Sequence, residues 1–521
     1  MLEGKIANIN GKYVIINEKK PIINNEILST ILPDDIVEYT VKDNNIFIHN
    51  IKKRENTIQY ILGVVKKIEN NNAYLYCINY PKTFCPVIKG KYDLLNVLLL
   101  RITINGIDVI EKYDSIMNRK NDINMILSLY KLQSKNNIEL KYIKNDTNYY
   151  TKDDIIDLTH LDTFNVDPTE SKDFDDAISI YNNRIYIHIV DGHNMIPMNS
   201  DIDINAFSKA FTLYLPEHIE NILPKEMAEY NFSLVKGERR NVITVEYTLD
   251  GDNIANYEIY RSIIIIKERY DYNKFNKVLD MFPLLVSLYK KNINSIKINI
   301  PHVKLNIMNN VISSYDYEYN CDMAHKIIEI LMILTNSTIS NHIKETCPQR
   351  FHSSIKNSIN HTIDNITGNN IVDNILFIKK YRNALYNNTE QGHFGLGLTT
   401  YTHFTSPIRR YFDVIIHRIL AGYTYDNINN ILDHINGMER NIDKMVKLYN
   451  MLKILDHLDN KEKIWNGYII SKSNMGVTVI IEGILYEVFI FTNKSYNIGD
   501  MVSIKIKNIL WETLEIKAIM N

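Results

Sequence analysis

The sequence predicts a multidomain α+β chain, and three observations carry that prediction. Both ends alternate apolar and polar residues with period two, the pattern of half-buried strands. The long middle mixes strand runs with helical spacings such as Met445, Leu448, Leu452 and Leu455, which read as core positions. The 521 residues are enough for about three or four domains.

Residues 1–54 alternate in Lys5-Ile-Ala-Asn-Ile and Lys12-Tyr-Val-Ile-Ile, and residues 55–114 do so again. A weak internal repeat links the two stretches. Gly4-Lys-Ile-Ala-Asn-Ile-Asn resembles Gly63-Val-Val-Lys-Lys-Ile-Glu, each followed by a turn and another strand. Short strands at this spacing predict two small β-barrels. Residues 115–135 read as a connecting helix that opens a catalytic-sized body running to residue 460. Residues 461–521 alternate once more, through Gly467-Tyr-Ile-Ile, Val477-Thr-Val-Ile-Ile, Tyr486-Glu-Val-Phe-Ile and Val502-Ser-Ile-Lys-Ile, with Gly499-Asp500 at the last hairpin. A third barrel is expected there.

A formal net charge of −2 provides no global basic field, so any nucleic-acid contact must come from local patches or a lined channel. With 35 tyrosines in the chain, a tyrosine alone carries no functional signal. Cys77, Cys85, Cys321 and Cys347 form no CxxC pair or zinc spacing and read as free thiols of a reducing compartment. Met1-Leu-Glu-Gly-Lys does not read as a signal peptide, and the densest apolar run, residues 263–266, is far too short to span a membrane. These features predict a cytoplasmic monomer with no disulfide, zinc or membrane partner.

The chemistry is densest in Asp167-Pro-Thr-Glu-Ser-Lys-Asp173-Phe-Asp175-Asp176, where four aspartates and Glu170 share a ten-residue window. Ionised carboxylates this close raise one another's pKa. An isolated acidic run is most often a solvated turn. A calcium loop is excluded, because Lys172 and Ile178 stand where an EF-hand needs Gly and Glu. Hard oxygen donors instead suit Mg²⁺ or Mn²⁺, and two such ions can clamp the attacking and leaving oxygens of a phosphodiester. The following residues argue against a solvated turn. Ala177-Ile-Ser-Ile-Tyr, Asn182-Asn183 and Arg184-Ile-Tyr-Ile-His-Ile-Val read as a period-two hairpin around a turn that tolerates positive φ. Pairing Tyr181 with Arg184 sets Ile178 opposite Ile187 and Ile180 opposite Ile185, and is expected to return the carboxylate of Asp191 to the cluster.

A second constellation is His393-Phe-Gly-Leu-Gly-Leu-Thr-Thr-Tyr401-Thr-His403-Phe-Thr405-Ser406-Pro407-Ile-Arg409-Arg410-Tyr411-Phe-Asp413, continuing to His417 and Arg418. Ser406-Pro407 reads as a helix start, with Arg409, Asp413 and His417 on one face. Arginines in a first turn oppose the helix dipole, which points to an anion held there. A surface helix with an Arg–Asp pair is the plainer alternative. The Gly-x-Gly lacks a preceding strand and a third Gly, so it is weak evidence of a nucleotide loop.

Phe164-Asn-Val-Asp167-Pro-Thr-Glu-Ser-Lys-Asp173-Phe-Asp175-Asp176-Ala177 and Tyr401-Thr-His-Phe-Thr-Ser-Pro-Ile-Arg-Arg-Tyr411 together resemble the ribonuclease II / ribonuclease R (RNB) exoribonuclease family. Ala210-Phe-Thr-Leu-Tyr214-Leu-Pro216, Ile222-Leu-Pro224, Ser233-Leu234, Arg240 and residues 327–336 agree in order, so the resemblance is strong over about residues 155–455. It implies two N-terminal cold-shock-type OB β-barrels (1–54 and 55–114), a central α/β RNB catalytic domain with its connecting helix (115–460) and a C-terminal S1-like OB barrel (461–521). It implies processive 3′→5′ hydrolysis of single-stranded RNA to 5′-nucleoside monophosphates, with two Mg²⁺ ions and Mn²⁺ as a substitute.

On the same resemblance, Asp167, Asp173, Asp175 and Asp176 are the metal-site acids, and Asp175 is the one most essential to catalysis. Arg409 grips the scissile phosphate, where a planar fork binds two oxygens. Tyr214 and Tyr272 stack on bases, and Arg410 and His188 complete the expected RNA contacts. Ile298 replaces a base-stacking Phe common in relatives, and Val446 replaces a common Glu. Two other readings compete. A catalytically silent RNA-binding relative is disfavoured by the intact acids and Arg409. A phosphatase with a nucleophilic Asp-x-Asp-x-Thr is disfavoured because Ala177 stands in the Thr position.

Overall fold

The computed structural model describes residues 2–9, 12–15, 22, 31, 35–43, 45–53, 58–78, 80, 84–103, 106–134, 138–144, 148–291, 302–318, 322–344, 347–353, 367, 370–389, 392–460 and 464–521. Ile298 and Cys321 lie outside the described residues. Two compact units carry the elements. One comprises Met1–Gln133, Leu305–Tyr315 and Asp443–Asn521, and the other Ser134–Lys304 and Asp316–Ile442. Among the described residues, no helix is long and apolar enough to cross a membrane. The described cysteines Cys77, Cys85 and Cys347 are free thiols.

Among the described residues, three antiparallel sheets of four or five strands fall in the first unit. Strands Leu2–Ile9, Lys12–Ile15, Ile36–Lys42 and Asn45–Lys53 form the first, with Leu2–Ile9 between the second and third strands. Ile58–Glu69, Asn72–Cys77, Val87–Lys89, Asn96–Thr103 and Gly106–Ser115 form the second, in spatial order third, second, first, fourth, fifth. Ile464–Ser473, Gly476–Ile481, Glu487–Phe491, Met501–Leu510 and Glu515–Met520 repeat that order in the third, and there the third strand packs against the fifth. Gly4 and Gly63, the heads of the sequence repeat, each fall in a strand with a neighbour on both sides. Gly467 holds the matching position in the last sheet, where a Cβ would meet Ile480 O at 2.5 Å. Only glycine fits that approach. The helix Asp122–Gln133 lies within the predicted connecting segment, and the helix Ile428–Asn460 buries Met445, Leu448, Leu452 and Leu455. Val446 sits half-buried on that helix.

The second unit is built on a sheet that closes on itself. Thr163–Val166, Asp176–Tyr181, Arg184–Val190, Arg239–Asp250 and Asn253–Tyr270 pair in sequence, and the last also pairs with the first. Closure leaves no open edge among these five strands. Tyr181 pairs with Arg184, Ile180 with Ile185 and Ile178 with Ile187, the register read from the alternation, and Asn182 takes φ +53° in the turn.

A belt of hydrogen bonds crosses all five strands. Thr163 Oγ1 meets Ser179 Oγ at 2.7 Å, Ser179 Oγ meets His188 Nε2 at 2.9 Å, His188 Nδ1 meets Thr244 Oγ1 at 2.8 Å, and Thr244 Oγ1 meets Ser262 Oγ at 2.5 Å. All five side chains are buried. This corrects the expectation that His188 touches RNA: no part of it reaches solvent, and both ring nitrogens are engaged within the sheet. Burial pushes its imidazole down to about 3. The unfolded chain takes up that proton below about 6.5. His188 therefore contributes stability at neutral pH that is lost as pH falls from there toward 3. His188→Ala should cost about 2–4 kcal/mol in urea melts at pH 7, with the gap narrowing by pH 5, and should leave RNA affinity unchanged. Weakened RNA binding at unchanged stability would restore the contact role.

Candidate active site

The acids stand at one edge of the closed sheet. Asp167 follows the strand Thr163–Val166, and Asp176 opens the neighbouring strand Asp176–Tyr181. These strands are antiparallel, with Phe164 opposite Ile178, so the end of one adjoins the start of the other. The intervening loop is pinned by backbone and side-chain bonds. Asp167 N–H donates to Tyr270 O at 3.2 Å, and Phe174 O accepts from Leu234 N–H at 3.0 Å. Ser233 Oγ accepts from Phe174 N–H at 2.9 Å and donates to Lys172 O at 2.6 Å.

Residues 406–410 meet this loop. Asp175 is buried, and its Oδ1 accepts from Ile408 N–H at 2.8 Å while Oδ2 lies 3.4 Å from Arg409 Nε. The Arg409 side chain is 43% exposed, so one end of the pair is buried and the other faces solvent. The two long sequence motifs thus share one site. Tyr214, itself 41% exposed, donates its hydroxyl to Asp173 Oδ2 at 2.5 Å. A cavity of about 800 Å³ opens beside this pair, lined in part by Lys172, Leu215 and Pro224. Tyr272 caps the site from the strand-to-helix junction after Asp271. Its hydroxyl is raised by burial and then by Asp167 and Asp176, and its ring stacks on His325 at 3.6 Å. One face of Tyr272 is therefore already covered, by a histidine that sequence reasoning missed.

Three expectations need correction. The helix begins at Tyr411, not at Pro407. Thr212 N–H donates to Arg409 O at 3.0 Å and Tyr411 N–H to Ala210 O at 2.8 Å, which holds Arg410 extended. Arg410 is not poised for RNA. Its Nε and Nη2 both bond Asp413 Oδ2, at 3.2 and 2.8 Å, and that oxygen also accepts Ser406 N–H at 2.7 Å. The charge of Arg410 is thereby committed to bracing the turn that presents Arg409. Asp191 does not return to the cluster either: its carboxylate caps a short helix, taking Asn194 N–H at 3.1 Å and Asn194 Nδ2 at 2.9 Å. His417 lies behind the site, accepting Gly192 N–H at Nδ1 and donating from Nε2 to Phe404 O. A buried pair anchors the same helix, with Arg418 Nη2 2.7 Å from Asp203 Oδ1.

The electrostatics are those of crowded acids. Burial raises Asp167 well above the ordinary carboxylate range, and Asp176, Asp175 and Asp173 raise it further. Burial likewise raises Asp176 and Asp175, with Arg409 opposing in both. Asp167 Oδ2 is buried without a hydrogen-bond partner. Among the described residues, no three His, Cys, Asp or Glu side chains already converge on one point. The donor chemistry nevertheless fits a hard divalent cation: every donor is a carboxylate oxygen, and one buried oxygen is unpartnered. On the family resemblance, Asp167 and Asp176 would hold such an ion, with Asp173 in support.

Comparison with known proteins bears on this geometry. The RNB domain family model matches residues 155–426, just over half of the chain, and the chain belongs to that family. Ribonuclease R of Aquifex aeolicus is 29% identical over 322 residues, covering 51% of this chain and 46% of that protein. Ribonuclease R of Mycoplasma genitalium is 28% identical over 452 residues, covering 68% and 62%. The chain thus spans about half to three-fifths of the length of these relatives. Among solved structures, Mycoplasma genitalium RNase R in complex with ribose methylated single-stranded RNA matches over 100% of both chains, with TM-score 0.77 and 21% identity. Yeast Ssd1, described as a pseudonuclease, matches 94% of this chain and 79% of its own, with TM-score 0.67 and 15% identity. These likenesses show a shared multidomain α+β fold.

The raised acids give a signed prediction. A carboxyl raised by folding contributes stability below about pH 3.9 that is lost as pH rises through its folded value. With a chelator present at pH 7, Asp167→Asn should therefore stabilise the protein by about 1–3 kcal/mol, and the gain should fade toward pH 4. Mn²⁺ should raise the Tm of the unsubstituted protein and leave that of Asp167→Asn unmoved. A destabilised variant that still responds to Mn²⁺ would contradict the reading of Asp167.

Proposed function

We propose that the chain is a hydrolytic 3′→5′ exoribonuclease that degrades single-stranded RNA processively to 5′-nucleoside monophosphates with two Mg²⁺ ions. The observation that carries this reading is the contact of Asp175 with Ile408 N–H and Arg409, beside an acid pair with an unpartnered buried oxygen. When bound, the cations would supply a nucleophile strong enough at neutral pH and neutralise charge on the leaving 3′-oxygen. The chain's own residues do the rest. Arg409 holds the scissile phosphate by two guanidinium N–H groups, and Asp175 keeps that side chain aimed from behind. Tyr214 stacks on a terminal base while its hydroxyl fixes Asp173, and Tyr272 offers its one uncovered face to another base.

The flanking sheets fit OB barrels that handle RNA, cold-shock-like at 1–54 and 55–114 and S1-like at 461–521, around a catalytic domain at 115–460. Support comes from the strand order of the second and third sheets, third-second-first-fourth-fifth, which is that of a five-stranded OB fold. A silent RNA-binding protein is the second reading, favoured by the likeness to a pseudonuclease. The intact acids and Arg409 weigh against it.

One experiment separates the two readings. The unsubstituted protein should release labelled mononucleotides from a 3′-extended RNA with Mg²⁺ and none without it. Asp175→Asn should lose at least about a hundredfold in rate, the scale of a lost transition-state contact, while binding the RNA nearly as well. RNA left whole by the unsubstituted protein would favour the silent reading. Equal activity in Asp175→Asn would refute the role of Asp175.

A further inference from the structure

Arg269 has no part in the chemistry described above. It is the second-last residue of the strand Asn253–Tyr270, in parallel register with Asn165, two residues before Asp167. Its Nη2 donates to three carbonyls of the loop: Pro168 O at 3.2 Å, Thr169 O at 3.0 Å and Ser171 O at 3.2 Å. Its guanidinium also sits 4.5 Å over the ring of Phe174, the residue between Asp173 and Asp175. One exposed side chain therefore grips both halves of a loop whose four acids flank the gripped residues.

We propose that Arg269 is a positioning residue that presets the acidic loop for divalent-cation binding. This rests on the cation reading above. The physical case is that the loop has few ways to hold its shape. Its carboxylates repel one another, and its carbonyls at 168, 169 and 171 converge on one nitrogen of Arg269, which ties them together. Ser233 ties residues 172 and 174 from the other direction, so the loop is held between a hydroxyl and a guanidinium. Groups that orient metal ligands in this way are typically worth about 10–100-fold in metal affinity.

Two effects of Arg269 oppose each other, and this makes the test sharp. Its positive charge near Asp167 works against a second cation. Its hydrogen bonds work for one by fixing the ligands. Removing the side chain should tighten metal binding if charge dominates and weaken it if positioning dominates. The positioning role requires the second result.

The measurement is the Mn²⁺ dependence of Tm for the full chain, compared with Arg269→Ala and Arg269→Lys, alongside RNA affinity in chelator. Arg269→Ala should need about tenfold more Mn²⁺ for a half-maximal shift. Arg269→Lys keeps the charge but loses the planar guanidinium over Phe174, and should fall between the two. RNA affinity without metal should be unchanged in both. Equal or tighter Mn²⁺ binding by Arg269→Ala would overturn the inference, as would weaker RNA binding with Mn²⁺ affinity intact, which would make Arg269 an RNA contact. Should Arg269→Ala not fold, Arg269→Lys alone decides, and a half-maximal shift at the unsubstituted Mn²⁺ concentration would overturn the inference. An unsubstituted protein that does not respond to Mn²⁺ would overturn the cation reading and this inference with it.

Discussion

Four aspartates at adjoining strand ends, three of them raised by burial, are the constraint on which the rest of the second unit depends. Buried like charges are among the most expensive arrangements a fold can hold. The surrounding structure reads as a response to that cost. Arg409 and Ile408 N–H face Asp175, Tyr214 faces Asp173, and Arg269 ties the backbone that carries them all. Asp167 Oδ2 is buried without a hydrogen-bond partner, and a bound cation would satisfy it. A fold selected for stability alone would replace these acids with neutral residues. Their presence is a statement about function.

The scaffold explains how that cost is borne. The closed five-stranded sheet leaves no edge to fray, and its belt of Thr163, Ser179, His188, Thr244 and Ser262 links the strands in sequence by side chains as well as backbone. Strand ends on such a frame are fixed points, and the acids occupy them. The arginine turn is fixed independently, by Asp413 and Arg410 within it and by Thr212 and Ala210 across from it. Two halves, each braced by its own hydrogen bonds, thus meet through one carboxylate.

Local features were legible in the sequence and long-range ones were not. The hairpin register followed from alternation alone, because one face of the strands had to be apolar. The acid cluster and the arginine motif were visible as composition. The helix start was misread because Ser406-Pro407 has the right local chemistry, but Asp413 and the pairing of residues 409–411 with residues 210–212 override it. His188 and Arg410 were expected as contacts on the family resemblance alone. Their partners, Thr244 and Asp413, become apparent only when strands and turns are assembled. Ser233 was legible only as part of the family resemblance, and neither it, Arg269 nor His325 carried a role in the sequence, since each acts on a segment distant in sequence. The pairing of flanking strands was readable from period two, while their order was not.

The most direct test of the central claim is calorimetric titration of the metal-free protein with Mn²⁺ at about pH 6, repeated in two buffers of different ionisation enthalpy. Carboxyls raised by burial and mutual repulsion hold protons that a bound cation must displace. The account predicts saturable binding with net proton release, seen as a heat that depends on the buffer. Saturable binding with no proton exchange, or no binding at all, would contradict it.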